Sequence, residues 1–219
     1  MKCFKFLLVA ILMTYTSISF AQNSVKPWHG LRFGYDMTTA NIDVDDADNN
    51  VLNGFTAGYV HAFNIAKLPL FFETGLGISF AHYDEEEYID NDEYKITCNE
   101  SLNMVALRVP LNMVCRVQCS DKVAFKPFVG FYWRANLFGK EVVKLEYGGE
   151  RRSLEYNVFS KHDMGGGGAT WKRIQFGWQA GFTMDINKFN VGIGYAIDFN
   201  EVAKRTKCGI FSANLGVNF

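Results

Sequence analysis

The side chains able to do acid–base, nucleophilic or metal chemistry in this chain are few and scattered. There are four histidines (His29, His61, His82, His162), five cysteines and two dense acidic runs. A catalytic histidine needs a hydroxyl, thiol or carboxylate held within hydrogen-bond reach. No serine–histidine arrangement is recognisable, and carboxylates crowd His82 through composition alone. The first acidic run is Asp43, Asp45, Asp46 and Asp48; the second is Asp84, Glu85, Glu86, Glu87, Asp90, Asp92 and Glu93. Such density suits Ca²⁺, but counted from Asp43 the fifth and sixth positions are Ala47 and Asp48, where an EF-hand places a ligand and a glycine. Both runs read as solvated acidic loops. The expectation is a protein with no catalytic residue, no cofactor and no metal.

Composition narrows the class further. Of 219 residues, 16% are aromatic and 21% charged, with 20 Gly and only 4 Pro. A disordered chain is poor in aromatics, and this balance favours strands over helices. A net charge of −1 argues against a nucleic-acid partner. Lys2 and Lys5 precede an apolar run from Phe6 to Met13, and Ser19-Phe20-Ala21 completes a small-x-small pattern. That is a secretory signal peptide over residues 1–21, cleaved after Ala21. The run is too short for a membrane-spanning helix, which needs about 20 apolar residues. Cys3 precedes the run, away from the cleavage site where a lipoprotein cysteine would sit. Residues 22–219 form one domain.

The elements that must position these side chains alternate strictly in hydropathy, with the period of two that marks strands. Eight segments show it: Gly30–Thr38, Gly54–Phe63, Phe72–Phe80, Asn103–Val117, Phe125–Leu137, Arg173–Met184, Phe189–Phe199 and Phe211–Phe219. In the clearest, Ile174, Phe176, Trp178, Ala180, Phe182 and Met184 oppose Arg173, Gln175, Gly177, Gln179, Gly181 and Thr183. The apolar faces carry large aromatics and no charge. The polar faces hold 12 of the 20 glycines. A wet surface has no use for so many glycines, which weaken strands; a narrow barrel interior does, because side chains converge there from every wall. A soluble sandwich or lipocalin-like barrel is the rival, with its apolar face inside. The reading is therefore an all-β protein, an eight-stranded antiparallel transmembrane β-barrel.

Short connections (64–69, 118–124, 185–188) alternate with long ones (41–52, 82–102, 138–170), and 200–208 is intermediate, the pattern of outer-membrane barrels with short periplasmic turns. Within 138–170, Val142–Tyr147 and Arg151–Tyr156 flank Gly148-Gly149, which predicts a projecting hairpin rather than two more crossings. Gly165–Gly168 predicts a mobile stretch. The predicted lumen holds Arg32, Arg108, Arg134 and Arg173 against Asp36, Glu73 and Asp198. A one-residue slip would turn these charges toward lipid at roughly 2 kcal/mol each, which fixes the register. Near balance predicts a salt-bridged plug; the alternative is a small polar channel lined by the same charges. Cys98 and Cys208 fall toward the outer side, Cys115 and Cys119 toward the periplasm, and only same-side pairs are topologically reasonable as disulfides.

With these strands in place the chain resembles the Bacteroidota outer-membrane β-barrel family, often labelled porin family protein. The motifs are Phe72-Glu73-Thr74-Gly75-Leu76, Leu107-Arg108-Val109-Pro110-Leu111, Pro127-Phe128-Val129-Gly130, Gly192-Ile193-Gly194-Tyr195 and the more specific end Leu215-Gly216-Val217-Asn218-Phe219. The terminal Phe219 resembles the signal read by the barrel-assembly machinery. The resemblance implies a fold, an outer-membrane location with both termini periplasmic, and lipid and that machinery as partners. It implies no catalytic or ligand-binding residues. The leading expectation is a non-enzymatic envelope or surface-interaction protein with an unknown extracellular ligand. A narrow porin is the main rival, and a lipid-modifying enzyme using His82 or His162 the minor one.

Overall fold

The computed structural model describes residues 26–42, 50–65, 69–91, 94–147, 150–160 and 170–219. The expected signal peptide, the first acidic run, Asp92, Glu93, Gly148-Gly149, His162 and Gly165–Gly168 lie outside these. The described residues form ten strands: β1 His29–Ile42, β2 Asn50–Asn64, β3 Leu70–Asn91, β4 Tyr94–Cys115, β5 Val117–Ser120, β6 Val123–Tyr147, β7 Glu150–Asn157, β8 Ile174–Ile186, β9 Phe189–Asp198 and β10 Thr206–Asn218. Eight of them close a ring in the order β1-β2-β3-β4-β6-β8-β9-β10 and back to β1. All neighbours are antiparallel, and the seam runs from Gly30 opposite Asn218 to Ile42 opposite Thr206. Each predicted alternating segment maps onto one ring strand, but Asn103–Val117 overruns the end of β4 at Cys115 and its last residue begins β5, and Arg173, Phe199 and Phe219 fall one residue outside β8, β9 and β10. The two extra strands are accessory: β5 pairs with the start of β6, and β7 with its end.

The faces divide as the alternation requires. Phe33, Phe55, Leu76, Val129, Phe131, Phe176 and Leu215 point outward and are exposed, Phe55 at 67%. Their opposite numbers line the interior, where glycines make room for long side chains. A Cβ on Gly177 would stand 2.0 Å from the Ile197 carbonyl and 2.8 Å from the Tyr132 ring; one on Gly216 would meet Arg32 at 2.7 Å. Either would force apart strands that must coil tightly to close so small a ring.

Two expected loops are not loops. Residues 82–102 continue β3 and β4 as paired strands, from His82 opposite Asn103 to Asn91 opposite Tyr94. Likewise β6 runs on to Tyr147 and pairs with both β4 and β7. The expected hairpin about Gly148-Gly149 is present as β6–β7, and its arm joins a larger sheet. This extension is wet on much of its surface, so no apolar alternation announces it. A bulge marks where it leaves the wall: Val105 faces Phe138, Ala106 faces Asn136, and Leu137 is left over. Leu137 and Phe138 are accordingly both exposed, and the inward parity of β6 changes there.

Candidate functional site: a layered lumen and a projecting sheet

The end of the barrel where β1 begins and β10 finishes is filled by an apolar layer. Trp28, Ala62, Phe71 and Val114 pack together with Phe128 against them. The Trp28 and Phe71 ring centroids are 4.5 Å apart. The indole N–H of Trp28 donates to Glu73 at 3.1 Å. The Lys126 ammonium lies 4.4 Å from the Trp28 ring and the Arg116 guanidinium 5.6 Å. Lys126 also forms an ion pair with Asp185 at 2.7 Å, with both side chains almost wholly buried. Asn190 and Asn218 donate to the same Asp185 oxygen at 2.8 and 2.9 Å. Arg32 donates to Asn218 at 2.7 Å, which ties the layer across the seam.

The middle layer is polar. Arg108 donates to Gln179 at 2.7 Å, and Gln179 donates to Asn112 at 2.6 Å. The Arg108 guanidinium stands 4.9 Å from the Tyr132 ring centroid. Thr56 donates to Asp36. Above this, Arg134 pairs with Asp198 at 2.9 Å, and the Tyr132 hydroxyl donates to the other Asp198 oxygen. The lumen contains a cavity of about 150 Å³ bordered by Arg32, Asp36, Thr56, Glu73 and Arg108, and a separate one of about 40 Å³ bordered by Asp36, Arg108, Arg134 and Trp171. Asp36 and Arg108 border both, so they form the partition. The charged and amide side chains at their borders give a water partners to bind.

The far end is apolar again. Leu52, Leu102, Met104 and Val158 pack with Ala81, Tyr83, Phe159 and Trp171, and Trp171 also covers Val202, Ala203 and Cys208. Val158 and Trp171 come from the segments that follow β7 and precede β8, and they are joined by a backbone bond from the Trp171 N–H to the Val158 carbonyl at 2.9 Å. They fold inward over the mouth.

Of the seven predicted lumen charges, the interior gathers Arg32, Asp36, Glu73, Arg108, Arg134 and Asp198. Arg173 is elsewhere. It sits exposed at the far rim, donating to the carbonyls of Asn136 and Leu137 with its guanidinium 4.4 Å from the Phe159 ring. Lys126 and Asp185 join the interior charges from outside the predicted set, although strand parity points to both: Lys126 shares parity with Phe128, Gly130, Tyr132 and Arg134, and Asp185 with Thr183. With them the interior holds Arg32, Arg108, Lys126 and Arg134 against Asp36, Glu73, Asp185 and Asp198, and Arg116 adds a fifth cation beside Trp28. All four cysteines described are free thiols. Cys208 is buried on the lumen side of the wall, and Cys98 stands on the extension opposite Glu87 and Leu145.

Beyond the far rim, β3, β4, β6 and β7 form a four-stranded sheet. At about 3.3 Å per residue, the ten residues from His82 to Asn91 reach some 30 Å along the strand. Glu85 lies opposite Glu100, and Glu141 is on the next strand beside them, opposite Leu102. Burial raises the Glu100 carboxyl above the ordinary range, and Glu85 adds to the shift. Glu141 is raised for the same reasons, burial first and then Glu100. Among the described residues no group of three or more His, Cys, Asp or Glu side chains is placed to hold a metal. His82 contacts Asn103 at 3.0 Å on the outer face.

No curated protein matches the chain. Among solved structures, the attachment invasion locus protein Ail of Yersinia pestis is 16% identical, with 89% of this chain and 100% of that one covered and a TM-score of 0.42. Neisserial surface protein A is 11% identical over 87% and 97% at a TM-score of 0.39, and the outer membrane enzyme PagL 9% identical over 83% and 98% at 0.38. The family described as "Outer membrane protein beta-barrel domain" matches residues 20–204, and the chain, with its eight-stranded ring, belongs to it.

Proposed function

We propose that this outer-membrane barrel is a non-enzymatic surface-interaction protein, closed to solutes, that works through its projecting sheet. The export signal at residues 1–21 delivers it, the termini face the periplasm, and the far end faces outward. The observation that carries the reading is the sheet itself. Three wall strands continue well past the rim, β7 is added to them, and β7 pairs with β6 alone among the strands formed by the described residues. An exposed sheet edge offers backbone donors and acceptors to a partner strand. The stacked layers in the lumen support closure and weigh against the narrow-porin reading. Among the described residues the ring of His82 contacts the Asn103 amide rather than a hydroxyl, which weighs against an enzyme built on His82. The narrower Bacteroidota assignment rests on the sequence motifs.

The test compares the intact barrel with one in which residues 84–101 and 141–156 are replaced by tight turns. Both should fold, shown by heat-dependent gel mobility, and both should be silent in planar bilayers. Cells producing the intact form should adhere to protein-coated surfaces more than cells producing the trimmed one. Regular conductance steps from intact folded protein, or equal adhesion by both forms, would overturn the proposal.

A further inference from the structure

At the terminal end, on the outer face of the barrel, His29 of β1 lies directly opposite His61 of β2. The Ala62 N–H donates to the Trp28 carbonyl at 2.8 Å, so Trp28 and Ala62 are a hydrogen-bonded pair. Antiparallel pairs alternate, which makes the adjacent His29–His61 pair a non-hydrogen-bonded one, with Cα atoms about 4.5 Å apart and side chains close together. The two imidazoles are already nearly parallel, at 8° and 5.8 Å between centroids. They are held by aromatic neighbours: Tyr59 and Phe219 lie 6.2 and 6.0 Å from His29, and Phe63 lies 4.3 Å from His61. The Phe219 N–H bonds to the His29 carbonyl at 2.8 Å, which fixes the backbone of this strand at the seam.

We propose that His29 and His61 form a two-imidazole site for a borderline divalent transition-metal ion of the zinc, nickel or copper class. Each ring offers one neutral nitrogen, and small rotations about the side-chain bonds bring both to about 2.0–2.1 Å from a shared ion. Imidazole suits these metals and not Ca²⁺ or Mg²⁺, which take oxygen. Water completes the coordination, since His29 is exposed and His61 half-exposed. The ion would clip β1 to β2 beside the strand that closes the ring. The site is independent of the extension at the other end.

The experiment uses tag-free protein in lipid nanodiscs, titrated with Zn²⁺ and Ni²⁺ at pH 7.5. One equivalent should bind with micromolar affinity. His29→Ala and His61→Ala should each weaken binding at least tenfold, while His82→Ala leaves it unchanged. Should either variant fail to fold, sub-stoichiometric Cu²⁺ added to the unaltered protein should selectively broaden the ring-proton NMR signals of His29 and His61. Absence of saturable binding below millimolar metal would overturn the proposal. So would binding retained by the His29→Ala/His61→Ala double variant, or broadening confined to other histidines.

Discussion

Lys126 and Asp185 show how unequal the two halves of a buried ion pair can be. Asp185 pairs with the Lys126 ammonium and accepts from Asn190 and Asn218, so a carboxylate that loses the ammonium still keeps two amide donors. Lys126 has one carboxylate and a Trp28 face. Asp185→Ala therefore strands a cation in the wall and should cost about 3–5 kcal/mol. Lys126→Met keeps the apolar stem against Trp28 and should cost about 1–2 kcal/mol, closer to one lost hydrogen bond to a charged group. Urea unfolding in detergent micelles checks the ordering. Equal losses would mean that the asparagines do not support Asp185. Parity alone would have placed this pair inside, because both residues fall on the polar face of segments already read as strands. It could not have shown that Arg173 lies outside, since that residue precedes the first paired position of β8. There the nearest acceptors are the carbonyls exposed by the β6 bulge.

At the scale of elements, the projecting sheet carries like charges where strands meet. Glu85 and Glu100 are directly opposite, a placement that destabilises a strand pair by some tenths of a kcal/mol up to about 1. The Tyr83 hydroxyl donates to Glu85. Tyr156 is the residue of β7 opposite Glu141. The carboxyls of Glu100 and Glu141 hold protons more tightly in the folded sheet than in an open chain. Folded protein then binds more protons than unfolded, so the sheet's stability falls as pH rises from the ordinary glutamate range through the raised folded values, and is regained on acidification. Amide exchange at residues 98–104 and 139–145, corrected for intrinsic rates, should be slower at pH 5 than at pH 7. Glu100→Gln should flatten that difference, and an unchanged slope in the variant would refute the assignment. The same chemistry explains why hydropathy alone predicts loops where these strands run. Hydropathy alternation records one face against apolar surroundings and the other against polar ones. Asp84 to Glu87, by contrast, are exposed on both faces of the sheet. The hairpin at Gly148-Gly149 was legible because its turn residues, not its faces, announce it.

For the whole molecule, the proposed closure rests on layers in series. The Trp28–Phe71–Val114 layer, the Arg108–Asp36 partition and the Trp171–Val158 cap lie at three depths, and an ion crossing the barrel must pass all of them. Eight strands enclose only enough space for side chains to fill, so removing one layer enlarges a cavity without making a path. Arg108→Ala should join the two internal cavities and destabilise the barrel, because Asp36 and Gln179 lose a cationic neighbour, yet remain silent in planar bilayers. Trp171→Ala should open the far mouth and also remain silent. Trp28→Ala/Arg108→Ala/Trp171→Ala removes one member from each depth, and current steps are expected only there, provided heat-dependent gel mobility shows the variant folded. The ordering is what discriminates. If Arg108→Ala alone conducted, the aromatic layers at the two ends would be permeable. The native barrier would then be a single guanidinium, which is how a gated narrow pore, and not a plug, is built.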